Sequence, residues 1–424
     1  MNISQLHQKF LQSSGIATDS RNITDNCIFF ALKGAHFNGN IFAAEALKKG
    51  AMYAVVDEAE FAGADNTILV EDVLRSLQDL ALYHRNHCKA KVIALTGSNG
   101  KTTTKELIHA VLAKKYRTIA TKGNLNNHIG VPLTLLSIKN DTEMAIVEMG
   151  ANHRGEIAFL CSLARPDYGY ITNFGKAHLE GFGGVAGVIE GKSELYAFLI
   201  KNGKHIFFNA DDPIQHERIG HYHAKSGYSS GQDTFFRVRL LEASPFVKME
   251  CLGVTINTML VGSYNYNNCA AAALLGNYFG LTGTEIKGAL ESYRPENNRS
   301  QLLEKNGYHI LLDAYNANPS SMKAALENFE LMPVSPKTVF LGDMFELGES
   351  TRHEHSQVAK LAAEKGFDTV YLIGENFSGV ETPLKTFSNF GEFETYLREH
   401  KPRPGSILIK GSRGMALERI LDSL

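Results

Sequence analysis

The stretch Thr96-Gly97-Ser98-Asn99-Gly100-Lys101-Thr102-Thr103-Thr104 constrains this chain more than any other. It follows the apolar run Val92-Ile93-Ala94-Leu95 and opens a helical pattern over 105–115. A buried strand that ends in a glycine turn and restarts as a helix gathers backbone N–H groups around an anion, and the helix N-terminus adds positive potential. Here Gly97, Ser98, Asn99, Gly100 and Thr103 would form the cradle, with Lys101 as a point charge and the Thr102 hydroxyl as a ligand for Mg²⁺. The general phosphate-loop pattern carries one more glycine, at the position of Leu95, so this loop is a shortened form. The order strand, loop, Lys-Thr, helix predicts an α/β unit that binds a nucleoside triphosphate.

At 424 residues the chain exceeds one ordinary core, which predicts two or three domains. No apolar run reaches the roughly 18 residues of a membrane span, and the first residues lack the apolar core of a secretion signal. A net charge of −2 leaves no basic footprint for nucleic acid. The five cysteines, 27, 88, 161, 251 and 269, are never spaced as C-x-x-C, which predicts a reducing, cytoplasmic setting without disulfide or zinc site.

Three blocks are legible. Residues 1–84 hold short strands (27–32, 51–56) and helices (41–49, 73–85), and the polar stretch 85–91 reads as a boundary. Residues 85–298 start with the phosphate loop and alternate strands (92–95, 144–148, 168–172, 206–209) with helices, the pattern of a doubly wound parallel sheet. Period-two apolar spacing over 234–261 predicts an antiparallel insert, followed by an alanine-rich helix over 267–278. Residues 299–424 repeat the alternation with strands at 309–312, 338–341, 369–373 and 406–410, a second doubly wound domain whose reactive edge lies at the strand C-termini.

Two strand ends in the central block carry candidate metal ligands. Glu148 closes the run Ala145-Ile146-Val147, and His178 follows the strand at 168–172. A strand-end carboxylate is also commonly a solvated cap, and a lone histidine usually only hydrogen-bonds; their place beside the loop favours the metal reading. Lys192, on a helix, has no special status from residue chemistry alone.

The motifs 96–104, Gly123-Asn124-Leu125-Asn126-Asn127-His128-Ile129-Gly130-Val131-Pro132, Glu148-Met149-Gly150-Ala151-Asn152 and 173–184 together resemble the Mur ligase family. Asn298-Arg299-Ser300-Gln301, the run 313–322, Gly342-Asp343-Met344-Phe345-Glu346-Leu347-Gly348 and Lys410-Gly411-Ser412-Arg413 extend the resemblance over nearly the whole chain. It implies three α/β domains: a small N-terminal uridine diphosphate-binding unit, a central P-loop ATPase-like sheet and a C-terminal Rossmann-like unit. The implied activity is ATP-dependent amide formation between UDP-N-acetylmuramoyl-tripeptide and D-alanyl-D-alanine through an acyl phosphate, in a cytoplasmic monomer. The chain lacks the Asp-Asn-Pro-Arg run typical of members that add the third-position amino acid.

The resemblance also assigns roles. Lys101, Lys192, His178 and Glu148 become catalytic; Thr102, Glu148, His178 and Lys192, the last as a CO₂-derived carbamate, would hold two Mg²⁺ ions. Asn265 and Asn268 fall near the adenine, and Arg299 and Asp313 near phosphate and ribose, although Ser263-Tyr264 replaces the usual Arg-His there. Ser20, Arg21, Lys33, Gly34, Asn38, Asn126 and Asn127 would bind the uridine nucleotide. Asn38-Gly39-Asn40 departs from the common Asp-Gly-His, and the same residues also read as a plain tight turn. Asn316, Asn318, Lys410 and Arg413 would meet the dipeptide; as residues alone, Lys410 and Arg413 also read as surface cations.

Overall fold

The computed structural model describes residues 1–63, 65–296 and 298–424. Three parallel-rich sheets follow one another along the chain. The first has four parallel strands in the order Ile16–Ala17, Ile28–Phe30, Tyr53–Val56, Thr67–Leu69. The second has seven parallel strands, ordered Phe236–Arg237, Lys225–Ser229, His205–Asn209, Tyr168–Ile171, Lys91–Thr96, Met144–Glu148, Thr118–Ala120. The third has six, ordered Gln301–Lys305, Tyr308–Asp313, Ser406–Lys410, Lys337–Gly342, Thr369–Ile373, Lys385–Phe387, with only the first edge pair antiparallel. No helix among the described residues is long and apolar enough to cross a membrane.

In the seven-stranded sheet Val92, Ile93, Ala94 and Leu95 are fully buried, as a central strand covered by helices on both faces must be. The chain leaves this strand for the Thr118–Ala120 edge, returns to Met144–Glu148, then crosses to Tyr168–Ile171 on the other side. Strand order therefore reverses at Lys91–Thr96, and the crevice opens at its C-terminal end.

The expected antiparallel insert is present as Arg239–Glu242, Phe246–Cys251 and Val254–Val261. Its first expected residues differ: Phe236–Arg237 pairs parallel with Lys225–Ser229 at the edge of the large sheet. The alanine-rich helix runs from Tyr264 to Tyr278, starting earlier than its apolar pattern suggested, and its buried Cys269 to Ala273 face lets it lie close against the helix Lys101–Leu112.

The polar stretch 85–91 does not behave as a linker at its start. The helix Val73–His87 continues through it, and Arg85 is buried. Its guanidinium donates to Ala90 O, Ala164 O and Arg165 O and pairs with Asp167 at 2.9 Å. A buried charge persists only when paired and hydrogen-bonded, and here both conditions are met.

Histidines join the first helix to this one. His84 Nε2–H donates to Ile138 O at 2.8 Å, so His84 Nδ1 is the acceptor for His7 Nε2–H at 3.0 Å. Burial, then His84 and His87, push the His7 pKa down to about 4. The unfolded chain takes up this proton near pH 6.5, whereas the folded chain resists it, so stability present above pH 6.5 is lost as pH falls towards about 4. Urea denaturation across this window should show that slope, and His7→Gln should flatten it.

Candidate active site

The glycine loop takes its shape from two left-handed positions. Gly97 has φ +144°, and a Cβ there would stand 1.9 Å from Thr172 Oγ1; Gly100 has φ +77°, and a Cβ there would meet Asn268 Oδ1 at 2.6 Å. A side chain at either position has neither the backbone freedom nor the space it needs. Gly97→Ala should therefore cost at least about 2 kcal/mol in urea denaturation and weaken nucleotide binding, because the loop itself must shift.

Lys101 begins the helix and donates to Gly97 O at 2.8 Å and Ser98 O at 3.3 Å, so the ammonium folds back over the loop. Burial lowers its pKa, Glu148 opposes that shift, and Arg299 adds to it. Thr102 Oγ1 donates to Glu148 Oε1 at 3.2 Å, and Asn126 Nδ2 donates to the same oxygen at 2.8 Å. Glu148 is 1% exposed, yet its Oε2 has no hydrogen-bond partner, with Lys105 Nζ 3.7 Å away. A buried carboxyl group with one oxygen outside any hydrogen bond, beside a threonine hydroxyl, fits a hard divalent cation.

Lys192 lies on the helix Val185–Lys201, fully buried, donating to Ala151 O at 3.0 Å, with no ion pair among the described residues. Burial above all, and then the positive Lys101, push its pKa well below the usual lysine value, while Glu156 and Glu194 pull the other way. An amine so placed gives up its proton more readily than an exposed lysine does.

The third sheet closes over the loop. Asn318 Nδ2 donates to Asn99 Oδ1 at 2.7 Å, Lys176 N donates to Ser320 Oγ at 2.9 Å, and Lys176 Nζ meets Glu354 Oε1 at 2.6 Å. Between the two sheets lies a cavity of about 790 Å³. Ser98, Asn99, Gly100, Lys101, Thr102 and Thr103 form one wall, and Asp313, Asn316, Asn318 and Lys410 the other. Glu148, His178, Asn126, Asn127, Asn265, Asn268 and Arg299 complete the expected residues that line it.

Others expected in the site stand apart. Ser20, Arg21, Lys33, Gly34 and Asn38 belong to the first sheet's unit and do not line this cavity. Arg21 is paired with Asp19, Lys33 with Asp57 and Glu58, and the Asn38 amide donates to Glu58. Arg413 is also outside the lining, paired with Glu418. The surface-cation reading of Lys410 is incorrect: it is 1% exposed and bound to Asp313 Oδ2 at 2.6 Å, because it ends a central strand rather than an edge.

Residue reasoning missed Tyr315, whose ring carries the Arg299 guanidinium at 3.5 Å. It also assigned no role to Glu346, whose Oε2 lies 2.6 Å from His178 Nδ1. Tyr315 stands two residues past a strand end, which is the signal that marks it.

Three family descriptions match in order: a Mur ligase family catalytic domain over residues 12–85, a Mur ligase middle domain over 95–276, and a Mur ligase glutamate ligase domain over 298–401. The UDP-N-acetylmuramoyl-tripeptide–D-alanyl-D-alanine ligase of Bacillus subtilis is 35% identical, over 97% of this chain and 93% of that protein. The Escherichia coli ligase of the same name is 34% identical over 96% and 93%. The crystal structure of MurF from Acinetobacter baumannii matches with a TM-score of 0.85 at 30% identity, over 99% of this chain and 98% of that one. MurF from Thermotoga maritima in complex with ADP matches with a TM-score of 0.85 at 26% identity, over 98% and 97%.

Proposed function

The chain belongs to the Mur ligase family, and from that membership we propose that it joins D-alanyl-D-alanine to UDP-N-acetylmuramoyl-tripeptide, converting ATP to ADP and phosphate. The product is a peptidoglycan precursor, and the reaction belongs in the cytoplasm. The observation that carries this reading is the meeting of the glycine loop and the 313–318 loop across one cavity, tied by Asn99 and Asn318.

The reaction follows from what these groups do. ATP phosphates rest on the loop 97–103, the nucleoside end towards Asn265 and Asn268, with Arg299 and Asp313 near phosphate and ribose. Lys101 leaves the Gly97 and Ser98 carbonyls for the phosphoryl oxygens and stabilises charge that grows in transfer. The tripeptide carboxylate attacks the γ-phosphorus, the bond to the ADP oxygen breaks, and an acyl phosphate forms. The dipeptide amine then adds to that carbonyl, loses a proton, and phosphate departs from the tetrahedral intermediate. An acyl phosphate hydrolyses in water, so a third unit packed over the second protects it.

The free Glu148 Oε2, the Thr102 hydroxyl and His178 would hold Mg²⁺, which when bound neutralises phosphoryl charge. The neutral Lys192 amine would add CO₂ and release a proton, turning a buried cation site into an anion that suits a neighbouring metal. Ser20, Arg21, Lys33, Gly34 and Asn38 would take the uridine diphosphate, with Asn126 and Asn127 nearer the acyl end. Asn316, Asn318 and Lys410 would receive the dipeptide, and Arg413 would join them on releasing Glu418. One polypeptide supplies all these groups, which supports a monomer.

The test is phosphate release with ATP and UDP-N-acetylmuramoyl-tripeptide, with and without D-alanyl-D-alanine. Release should require the dipeptide and fall away with single amino acids; release indifferent to it would overturn the reading.

A further inference from the structure

Glu346 sits on the loop after the strand Lys337–Gly342, in the third sheet's unit. That loop is held from below. Asp343 accepts from Asn376 N at 2.9 Å and Phe377 N at 3.0 Å. His355, with Nδ1–H on Thr351 O, accepts from Met344 N at 3.0 Å, and Phe345 N donates to Ser412 Oγ. The Glu346 backbone then turns left-handed, at φ 62°, a conformation uncommon outside glycine.

On the facing loop His178 is left-handed too, at φ 52°, directly before the short helix Leu179–Phe182. The two left-handed residues point at one another. His178 Nδ1 stands 2.6 Å from Glu346 Oε2, within pairing distance but out of line for a hydrogen bond, and among the described residues this buried nitrogen has no hydrogen-bond partner. The backbones meet as well, Glu180 N donating to Glu346 O at 3.3 Å. Glu346 is about half exposed, at 49%, so the pair contributes little to stability as an ion pair. Strained, mutually aimed residues of little stabilising value point to a positioning role.

We propose that Glu346 is a positioning residue that reaches across the interface and, once a small turn of the imidazole brings the pair into line, takes the Nδ1–H of His178 and so leaves Nε2 as the lone-pair nitrogen presented to a divalent cation. Histidine ligands are commonly oriented by a carboxylate on the other ring nitrogen, and its loss typically costs 10–100-fold in metal affinity. Here that carboxylate comes from a different unit, so the histidine is made ready only when the third unit is packed on the second. Substrate-driven closure and metal capture thereby become one event. This inference rests on the ligase reading and on His178 as a ligand.

The experiment measures Mn²⁺ affinity of the full-length protein with ADP by electron paramagnetic resonance, for wild type, Glu346→Ala, Glu346→Gln and Glu354→Gln. Glu346→Ala should weaken Mn²⁺ about tenfold or more. Glu346→Gln, whose amide oxygen still accepts from Nδ1–H, should keep most of the affinity. Glu354→Gln removes the interface ion pair with Lys176 without touching His178, and should stay within about twofold of wild type. Unchanged affinity in Glu346→Ala would overturn the proposal. Equal losses in Glu346→Ala and Glu354→Gln would also overturn it, since the effect would then be closure alone. A wild-type protein that releases phosphate in a dipeptide-dependent way but shows either result leaves the ligase reading standing; one that neither ligates nor binds Mn²⁺ overturns both.

Discussion

Lys101→Ala should lower the turnover of dipeptide-dependent phosphate release by about 10³-fold or more, while circular dichroism and urea denaturation stay close to wild type. The size follows from what the ammonium does in phosphoryl transfer: it meets charge that develops on the transferring oxygens inside a site from which water is excluded. Three decades correspond to about 4 kcal/mol of transition-state stabilisation. The fold should tolerate the change because Lys101 is a helix-start residue whose side chain, among the described residues, hydrogen-bonds to the Gly97 and Ser98 carbonyls of its own loop alone. Removing the charge also removes a burden, since burial already disfavours it. Near-wild-type turnover would remove ATP from the loop and the reaction with it.

The second large effect concerns Lys192. Lys192→Ala should reduce turnover by about 10²-fold or more, and short carboxylic acids such as acetate or propionate should restore part of it. The truncation leaves a hole where a buried lysine stood, so a drop in stability alone would not distinguish a functional role from a packing role. Rescue does, because a small carboxylate supplies the anion that the neutral amine would make from CO₂. A variant as active as wild type would refute the carbamate. So would a variant that is inactive, folded and indifferent to every added carboxylate.

Much of this architecture was legible in the sequence, for a specific reason. Strands buried on both faces read as apolar runs that stop at a polar or glycine residue, so 144–148, 369–373 and 406–410 were expected where they lie. The short edge strands Ile16–Ala17 and Thr118–Ala120, and Lys225–Ser229 one place in from an edge, were not expected, because neighbouring backbone rather than side-chain pattern holds them in the sheet. The burial of Arg85 within the boundary stretch 85–91 has no local signal, because the carbonyls that make it tolerable come from distant Ala164 and Arg165.

The candidate site divides in the same way. Gly97, Lys101 and Thr102 declare themselves through spacing, and Glu148 through the strand it ends. Lys192 carried a signal that went unused: with Val188, Leu195 and Leu199 it lies on the buried stripe of its helix, where a lysine is out of place without a task. Glu346 had no such signal. Its motif was conspicuous, but its meaning depends on His178 in another sheet's unit, and only the packing of the two reveals it.

The central claim is that the γ-phosphoryl group passes to the tripeptide carboxylate before the amide forms. Its most direct test uses UDP-N-acetylmuramoyl-tripeptide labelled with ¹⁸O in the reacting carboxylate, with ATP and D-alanyl-D-alanine, and mass analysis of the released phosphate. Transfer through an acyl phosphate predicts one ¹⁸O atom in each phosphate. Phosphate free of label, with amide still formed, would contradict the account.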